Sequence, residues 1–201
     1  MHNGLIVSIS GPSGVGKGTV IAKLREMFPD CGHSVSVTSR APRGQEKEGV
    51  EYYFRTREEF EQLIADGEII EYDQYVGNYY GTPLTPLLAM SRSGRNVLLD
   101  LTVAGSLALK EKFEESVSIF LLPPSLDELR SRLSGRGTET EDLVEKRLKE
   151  AKGEIAEASK FDYVVTNHKV EQAAEEIAAI MKAETLRFTR SSDAVEILLA
   201  E

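Results

Sequence analysis

The apolar run Leu5-Ile6-Val7-Ser8-Ile9 leads into Gly11-Pro12-Ser13-Gly14-Val15-Gly16-Lys17, and a helical pattern follows at once. A short β-type run, a glycine-rich turn and a helix in register are the context that a phosphate-binding loop requires. Glycines let the backbone curl until successive N–H groups face one anion. A helix starting near Gly18 adds its positive N-terminal end. Lys17 supplies a mobile point charge for outer phosphates. Gly11, Pro12, Ser13, Gly14, Val15, Gly16 and Lys17 are therefore the candidate phosphate-binding residues, with Gly18 and Thr19 at the start of the helix.

The loop departs from its usual form at one place. A serine or threonine normally follows the lysine, and its hydroxyl touches a magnesium ion. Here Gly18 follows, then Thr19. No protein atom is thus assigned as a direct metal ligand. A Mg²⁺ ion would be held mainly by nucleotide phosphates and water, as this ion tolerates. Thr19 is expected to cap or fill the first helical turn.

Further apolar runs at Val97 to Leu101, Val117 to Leu122 and Tyr163 to Thr166 suit strands buried on both faces of a parallel sheet. Amphipathic stripes lie between them: Val20, Ile21, Leu24 and Met27; Leu126, Leu129 and Leu133, opened by Ser125 and Asp127-Glu128; and Ile177, Ile180 and Met181. This alternation predicts an α/β, doubly wound fold. The segment from Ser34 to Pro86 breaks the rhythm. It reads as a strand to Thr38, a polar loop, a helix at Arg57 to Ala65, a strand at Ile69 to Tyr75, and a Gly77-Asn78 turn into Tyr79-Tyr80. Short strands around a hairpin turn predict a small, partly antiparallel insertion. It holds six of the seven tyrosines, each as suited to packing as to a ligand.

A net charge of −9 argues against a nucleic-acid partner and makes local basic clusters informative. No run approaches membrane-spanning length and no signal segment opens the chain, so a cytoplasmic location is expected. The single cysteine, Cys31, excludes an internal disulfide and reads as a small buried hydrophobe. One basic cluster stands out: Arg40-Ala41-Pro42-Arg43 places two arginines three apart on a loop stiffened by proline, able to converge on one phosphate.

These features come with further motifs: Ser34-Val35-Ser36, Thr38-Ser39-Arg40-Ala41-Pro42-Arg43, Gly49-Val50-Glu51-Tyr52-Tyr53-Phe54, Ile70-Glu71, Gly77-Asn78-Tyr79-Tyr80-Gly81-Thr82, Leu99-Asp100 and Ser134-Gly135-Arg136-Gly137-Thr138-Glu139. In this order and spacing, from about Gly4 to Lys182, the chain resembles a guanylate kinase of the nucleoside monophosphate kinase class. The resemblance implies a phosphate-loop kinase with a parallel-sheet core (1–35 and 84–201), a lid at about 134–150 and an inserted acceptor-nucleotide subdomain (36–83). It implies ATP-dependent phosphorylation of GMP, and of dGMP, in purine metabolism.

The roles it implies are these. Ser36, Arg40, Arg43, Tyr52 and Tyr80 sit where the family holds the phosphate and base of GMP. Glu71 and Thr82 sit where it reads guanine. Arg132, Arg136 and Arg147 match lid arginines that close over ATP, and Asn167 falls near the adenine-contacting loop. Lys17, Arg43, Arg136 and Arg147 are the implied catalytic groups. A carboxylate at Glu71 suits guanine, because N1–H and the 2-amino group present two adjacent donors.

The family pattern after the strand at Asp100 is Asp-x-Asp-x-Gln-Gly. This chain has Asp100-Leu101-Thr102-Val103-Ala104-Gly105, so the second carboxylate and the amide are absent, and Asp100, among the implied GMP-binding residues, is left alone to orient the metal's water shell or the acceptor. Two other readings stay open at this level: a kinase of similar fold acting on a sugar phosphate, and a non-enzymatic protein-binding module. The tail from Thr185 to Glu201 could pack as a helix or mediate assembly; the oligomeric state is not legible.

Overall fold

The computed structural model describes residues 3–75, 77–134 and 141–199. The first half contains β1 (Ile6–Ser10), α1 (Lys17–Met27), β2 (Gly32–His33), β3 (Ser36–Thr38), β4 (Tyr52–Phe54), α2 (Arg57–Ala65), β5 (Ile69–Tyr75), β6 (Asn78–Pro83) and α3 (Leu84–Arg92). The second contains β7 (Val97–Asp100), α4 (Val103–Lys112), β8 (Val117–Leu122), α5 (Leu126–Ser134), α6 (Glu141–Ala156), β9 (Tyr163–Thr166), α7 (Val170–Thr185) and α8 (Phe188–Leu199).

Five strands form a parallel sheet in the order β2-β7-β1-β8-β9. The chain winds outward from β1 in both directions, so a crevice opens beyond its C-terminal end, where Gly11 begins the loop. Alternation along β1 separates the two faces. Val7 and Ile9 pack with Leu24 of α1 and Ile177 of α7; Ile6 packs with Leu87 of α3 and Leu109 of α4. Full burial of one such aliphatic side chain is worth about 1.5–3 kcal/mol.

Several expectations shift in detail. Gly16, in the left-handed region at φ 99°, is the N-cap of α1, with no side-chain cap, and Thr19 is exposed in the first turn without capping it. Met27 and Leu126 end their stripes in solvent. Cys31 is only half-buried, at the rim of the α1–α7 core. The edge strand β9 buries Val165 while Val164 is exposed, so it lacks the two-sided burial of β1. β2, a two-residue strand, carries no sequence pattern that would have shown it.

The second sheet has the mixed order β4-β3-β6-β5. One face carries Val37, Tyr53 and Tyr79, packed on Phe60, Leu63 and Ile64 of α2. A capping box starts that helix: Thr56 Oγ1 accepts from the Glu59 N–H, and the Glu59 carboxylate accepts from the Thr56 N–H. Helices α5 and α6 pair through Leu129, Leu133, Val144, Leu148 and Ala151. The tail forms α8, whose Arg190 faces Glu184 of α7 at 3.8 Å; Glu184 is 4 % exposed and also pairs with Arg187 at 2.9 Å. Phe188, Ile197 and Leu199 remain exposed.

Candidate active site

The backbone of the glycine-rich loop is held from several sides. Gly11, Gly14 and Gly16 all have positive φ. A Cβ at Gly11 would lie 2.3 Å from the Leu121 carbonyl oxygen, so only glycine fits there. Lys17 Nζ reaches back across the loop and donates to the Gly11 carbonyl at 2.8 Å. Gly18 differs: a Cβ there would meet nothing within 4 Å. The missing hydroxyl thus leaves open space beside the loop.

Helix α6 touches the same loop. Arg147 Nη2 donates to Ser13 Oγ. Seven residues on, two turns along the same face, the Glu154 carboxylate approaches the Ser13 N–H and the Lys17 charge. Burial pushes the Glu154 carboxyl up, while Lys17 and the Ser13 N–H draw it down. Glu154 was not singled out in the sequence; its helical spacing from Arg147 is the signal that could have found it. Arg136, with the rest of 135–140, lies outside the described residues.

Arg132 and Asn167 also meet the loop, from its outer side. Arg132 Nη1 and Asn167 Nδ2 both donate to the Val15 carbonyl, at 3.1 and 2.8 Å. Arg132 Nη2 donates to the Asn167 carbonyl at 3.1 Å and its Nε to Glu128 at 2.9 Å.

Strand period sorts the residues of the second sheet. Ser36 is in register with Tyr52, and Thr38 with Tyr80. Residues two apart share a face, so Ser36, Tyr52, Tyr80 and Thr82 lie on the face opposite α2. Tyr53, Tyr72 and Tyr79 belong to the packing face: Tyr72 and Tyr79 make edge or stacked contacts with Phe60 and each other, and Tyr53 packs against the same cluster. On the site face the Tyr52 and Tyr80 rings meet edge-on at 5.9 Å, and the Arg40 guanidinium lies 5.4 Å from the Tyr52 ring centre.

Arg40 is buried and forms two parallel hydrogen bonds to Glu46, each 2.9 Å. Glu46 also accepts from the Arg43 N–H at 2.7 Å, and these bonds hold its carboxyl below the usual range. It therefore fixes the curvature of the loop that carries both arginines. Arg43 itself is exposed.

Thr82, 3 % exposed, donates its hydroxyl to Glu71 Oε1 at 2.7 Å. The other carboxylate oxygen presses on α4: a Cβ at Gly105 would lie 2.7 Å from Glu71 Oε2. Burial pushes the Glu71 carboxyl up, Asp73 adds to the rise, and Thr82 opposes it. Thr102 does not replace the absent carboxylate; its hydroxyl accepts the Gly105 N–H at 3.1 Å and caps α4. Thr102 and Ala104 line a cavity of about 660 Å³, with Asp73 on one side and Gly153 and Glu154 of α6 on the other. At the end of β7, Asp100 faces the Lys17 and Arg25 charges; its own loss of water pushes its carboxyl up, and the two cations draw it down.

The family profile described as guanylate kinase matches residues 3–184. A guanylate kinase of Oceanobacillus iheyensis is 50% identical over 189 residues, covering 94% of this chain and 92% of that protein. One of Bacillus subtilis is 48% identical over 190 residues, covering 94% and 93%. The crystal structure of guanylate kinase from Anaplasma phagocytophilum matches with a TM-score of 0.73 at 39% identity, covering 94% of this chain and 90% of that one.

Proposed function

This chain belongs to the guanylate kinase family, and from that premise we infer that it transfers the terminal phosphoryl group of ATP to the phosphate of GMP, giving ADP and GDP. One observation carries the residue-level reading. The segment from Asp100 to Gly105 joins the two halves of the reaction: Asp100 faces Lys17 of the loop, and Gly105 abuts the Glu71 carboxylate. A donor phosphate in the loop and a base at Glu71 would share one crevice.

The acceptor is already an anion, so the reaction needs no general base; positioning and charge neutralisation suffice. Loop N–H groups and Lys17 hold the donor β- and γ-phosphates. Arg40 and Arg43 hold the GMP phosphate in line, with Ser36, Tyr52 and Tyr80 around it. Glu71 and Thr82 read the base. Arg147, carried by the lid, neutralises the transferring group, and Arg136 is assigned the same task. Lid closure excludes water and limits wasteful hydrolysis. Residues 36–83 form the acceptor subdomain and 134–150 the lid. We extend the same reading to dGMP, as the family resemblance implies.

Mg²⁺ fits this donor set as an ion held by phosphates and water. The space beside Gly18 is open, and Asp100 is the carboxylate that faces the loop from the core sheet, positioned to orient coordinated water. When bound, the ion screens the charge on the β- and γ-phosphates. We place the reaction in cytoplasmic purine nucleotide metabolism; among the described residues no helix is long and apolar enough to cross a membrane.

A sugar-phosphate kinase has no use for the Glu71–Thr82 pair, and a protein-binding module has none for Lys17 and Arg147. A coupled assay of ADP release separates the three: GMP should support turnover, while AMP and the absence of acceptor should leave a background rate. Equal rates with GMP and without acceptor would overturn the reading. Arg43→Ala should raise the KM for GMP about ten-fold or more while leaving ATP binding near wild type, because it removes an exposed charge from the acceptor side alone. Arg40→Ala should add a loss of thermal stability, since it strands the Glu46 carboxylate. Equal effects of Arg43→Ala on ATP and GMP binding would remove it from the acceptor site.

A further inference from the structure

The Val15–Gly16 peptide is gripped from two directions. Arg132 arrives from α5 and Asn167 from the residue after β9, and both donate to one carbonyl oxygen. Asn167 is 3 % exposed, and its backbone N–H is anchored on the Leu122 carbonyl at 2.8 Å. Its amide packs flush on the loop, since a Cβ at Gly16 would lie 2.7 Å from Nδ2. The Arg132 fork is divided among Glu128, Val15 and Asn167.

A trans peptide is planar, with its C=O and N–H directed to opposite sides. Holding the Val15 oxygen outward therefore turns the Gly16 N–H inward, toward the centre of the loop. The constraint matters because Gly16 has φ 99°. Glycine adopts positive and negative φ with similar ease, so the peptide beside it can rotate at little local cost. A rotated peptide would present a carbonyl oxygen to the phosphates in place of a donor.

We propose that Arg132 and Asn167 are positioning residues that clamp the Val15 carbonyl and so hold the Gly16 N–H in the phosphate cradle. This work is done on the loop's backbone, in addition to any contact the two side chains make with ATP itself. This rests on the phosphate-loop reading above.

Inorganic tripolyphosphate is the discriminating probe, because it has phosphates and no base. Calorimetric titration of the full chain should show Asn167→Ala weakening tripolyphosphate about ten-fold, the scale of one lost hydrogen bond to a fixed group, and ATP by at least as much. That variant removes no charge, so a change in long-range field does not mimic the result. Arg132→Gln should do likewise, and Arg132→Lys, which keeps the charge and one donor, should recover part of the loss. The double variant should be little worse than either single one, since both act on one peptide. ATP weakening with tripolyphosphate binding unchanged would overturn the proposal in favour of direct contact with the adenosine portion. Should Asn167→Ala fail to fold, the Arg132 pair decides, because that side chain is only half-buried. Absence of tripolyphosphate binding by the wild type would instead count against the phosphate-loop reading itself.

Discussion

Lys17→Ala is expected to lower kcat/KM for both substrates by on the order of 10³-fold or more, the range in which a single cation on a transferring phosphoryl group acts. Two losses combine. The charge on the donor phosphates disappears, and so does the 2.8 Å strap from Nζ to the Gly11 carbonyl that closes the loop. The fold should survive. Lys17 is the first residue of α1, alanine is the strongest helix former, and one half-exposed hydrogen bond from an ammonium to a carbonyl is worth about 1–3 kcal/mol. Steady-state kinetics beside a thermal melt check this. A folded variant with near-wild-type turnover would mean that the loop amides alone carry the donor.

Glu71→Gln is expected to lower kcat/KM for GMP by about ten- to a hundred-fold and more, and to narrow the preference for GMP over AMP. Glutamine replaces one acceptor with a donor that faces guanine's own donors. Thr82 already occupies Oε1 and Gly105 abuts Oε2, so the amide has little freedom to turn away. The Glu71 carboxylate is half-buried, so the exchange also bears on stability. An acid whose carboxyl is raised by burial is destabilising while ionised. The penalty is present above its raised value and is relieved as pH falls toward the ordinary glutamate range. Glu71→Gln should therefore leave the melting temperature of the nucleotide-free protein at neutral pH unchanged or higher. Acidification should weaken GMP binding by wild type over the same span, as protonation removes an acceptor. An unchanged GMP-to-AMP ratio would take Glu71 out of base selection.

The loop and the core strands β1, β7, β8 and β9 were legible because their signals are local: glycine spacing, and apolar runs that are buried on both faces in β1 and on one face in β9. The inserted sheet was legible as strands around turns, yet the division of its tyrosines was not read from the sequence. That division follows from period two once register is known: Tyr52 and Tyr80 take the site face, and Tyr53, Tyr72 and Tyr79 pack with Phe60 and its neighbours. Glu46 was missed because an acidic residue in a polar loop looks solvated; its offset of six and three from Arg40 and Arg43 was the available signal. Thr102 and Ala104 read as losses of polar groups. In the fold they are a helix cap and a cavity wall. The hold of Asn167 on Val15 had no local signal at all.

That hold has a consequence for how the protein is made. The motif from Gly11 to Lys17 leaves the ribosome early and is complete within one short stretch. The donors that set its Val15 peptide lie 117 and 152 residues further along the chain. Contacts of such sequence separation form only after long loops have closed. A nascent chain that has finished β1 and α1 thus carries the signature of a nucleotide-binding protein without its working conformation. On the clamp proposed above, full affinity for phosphate arrives late in synthesis, when β9 has joined the sheet and Asn167 has reached the loop, and an unfinished chain holds nucleotide more weakly than the finished one.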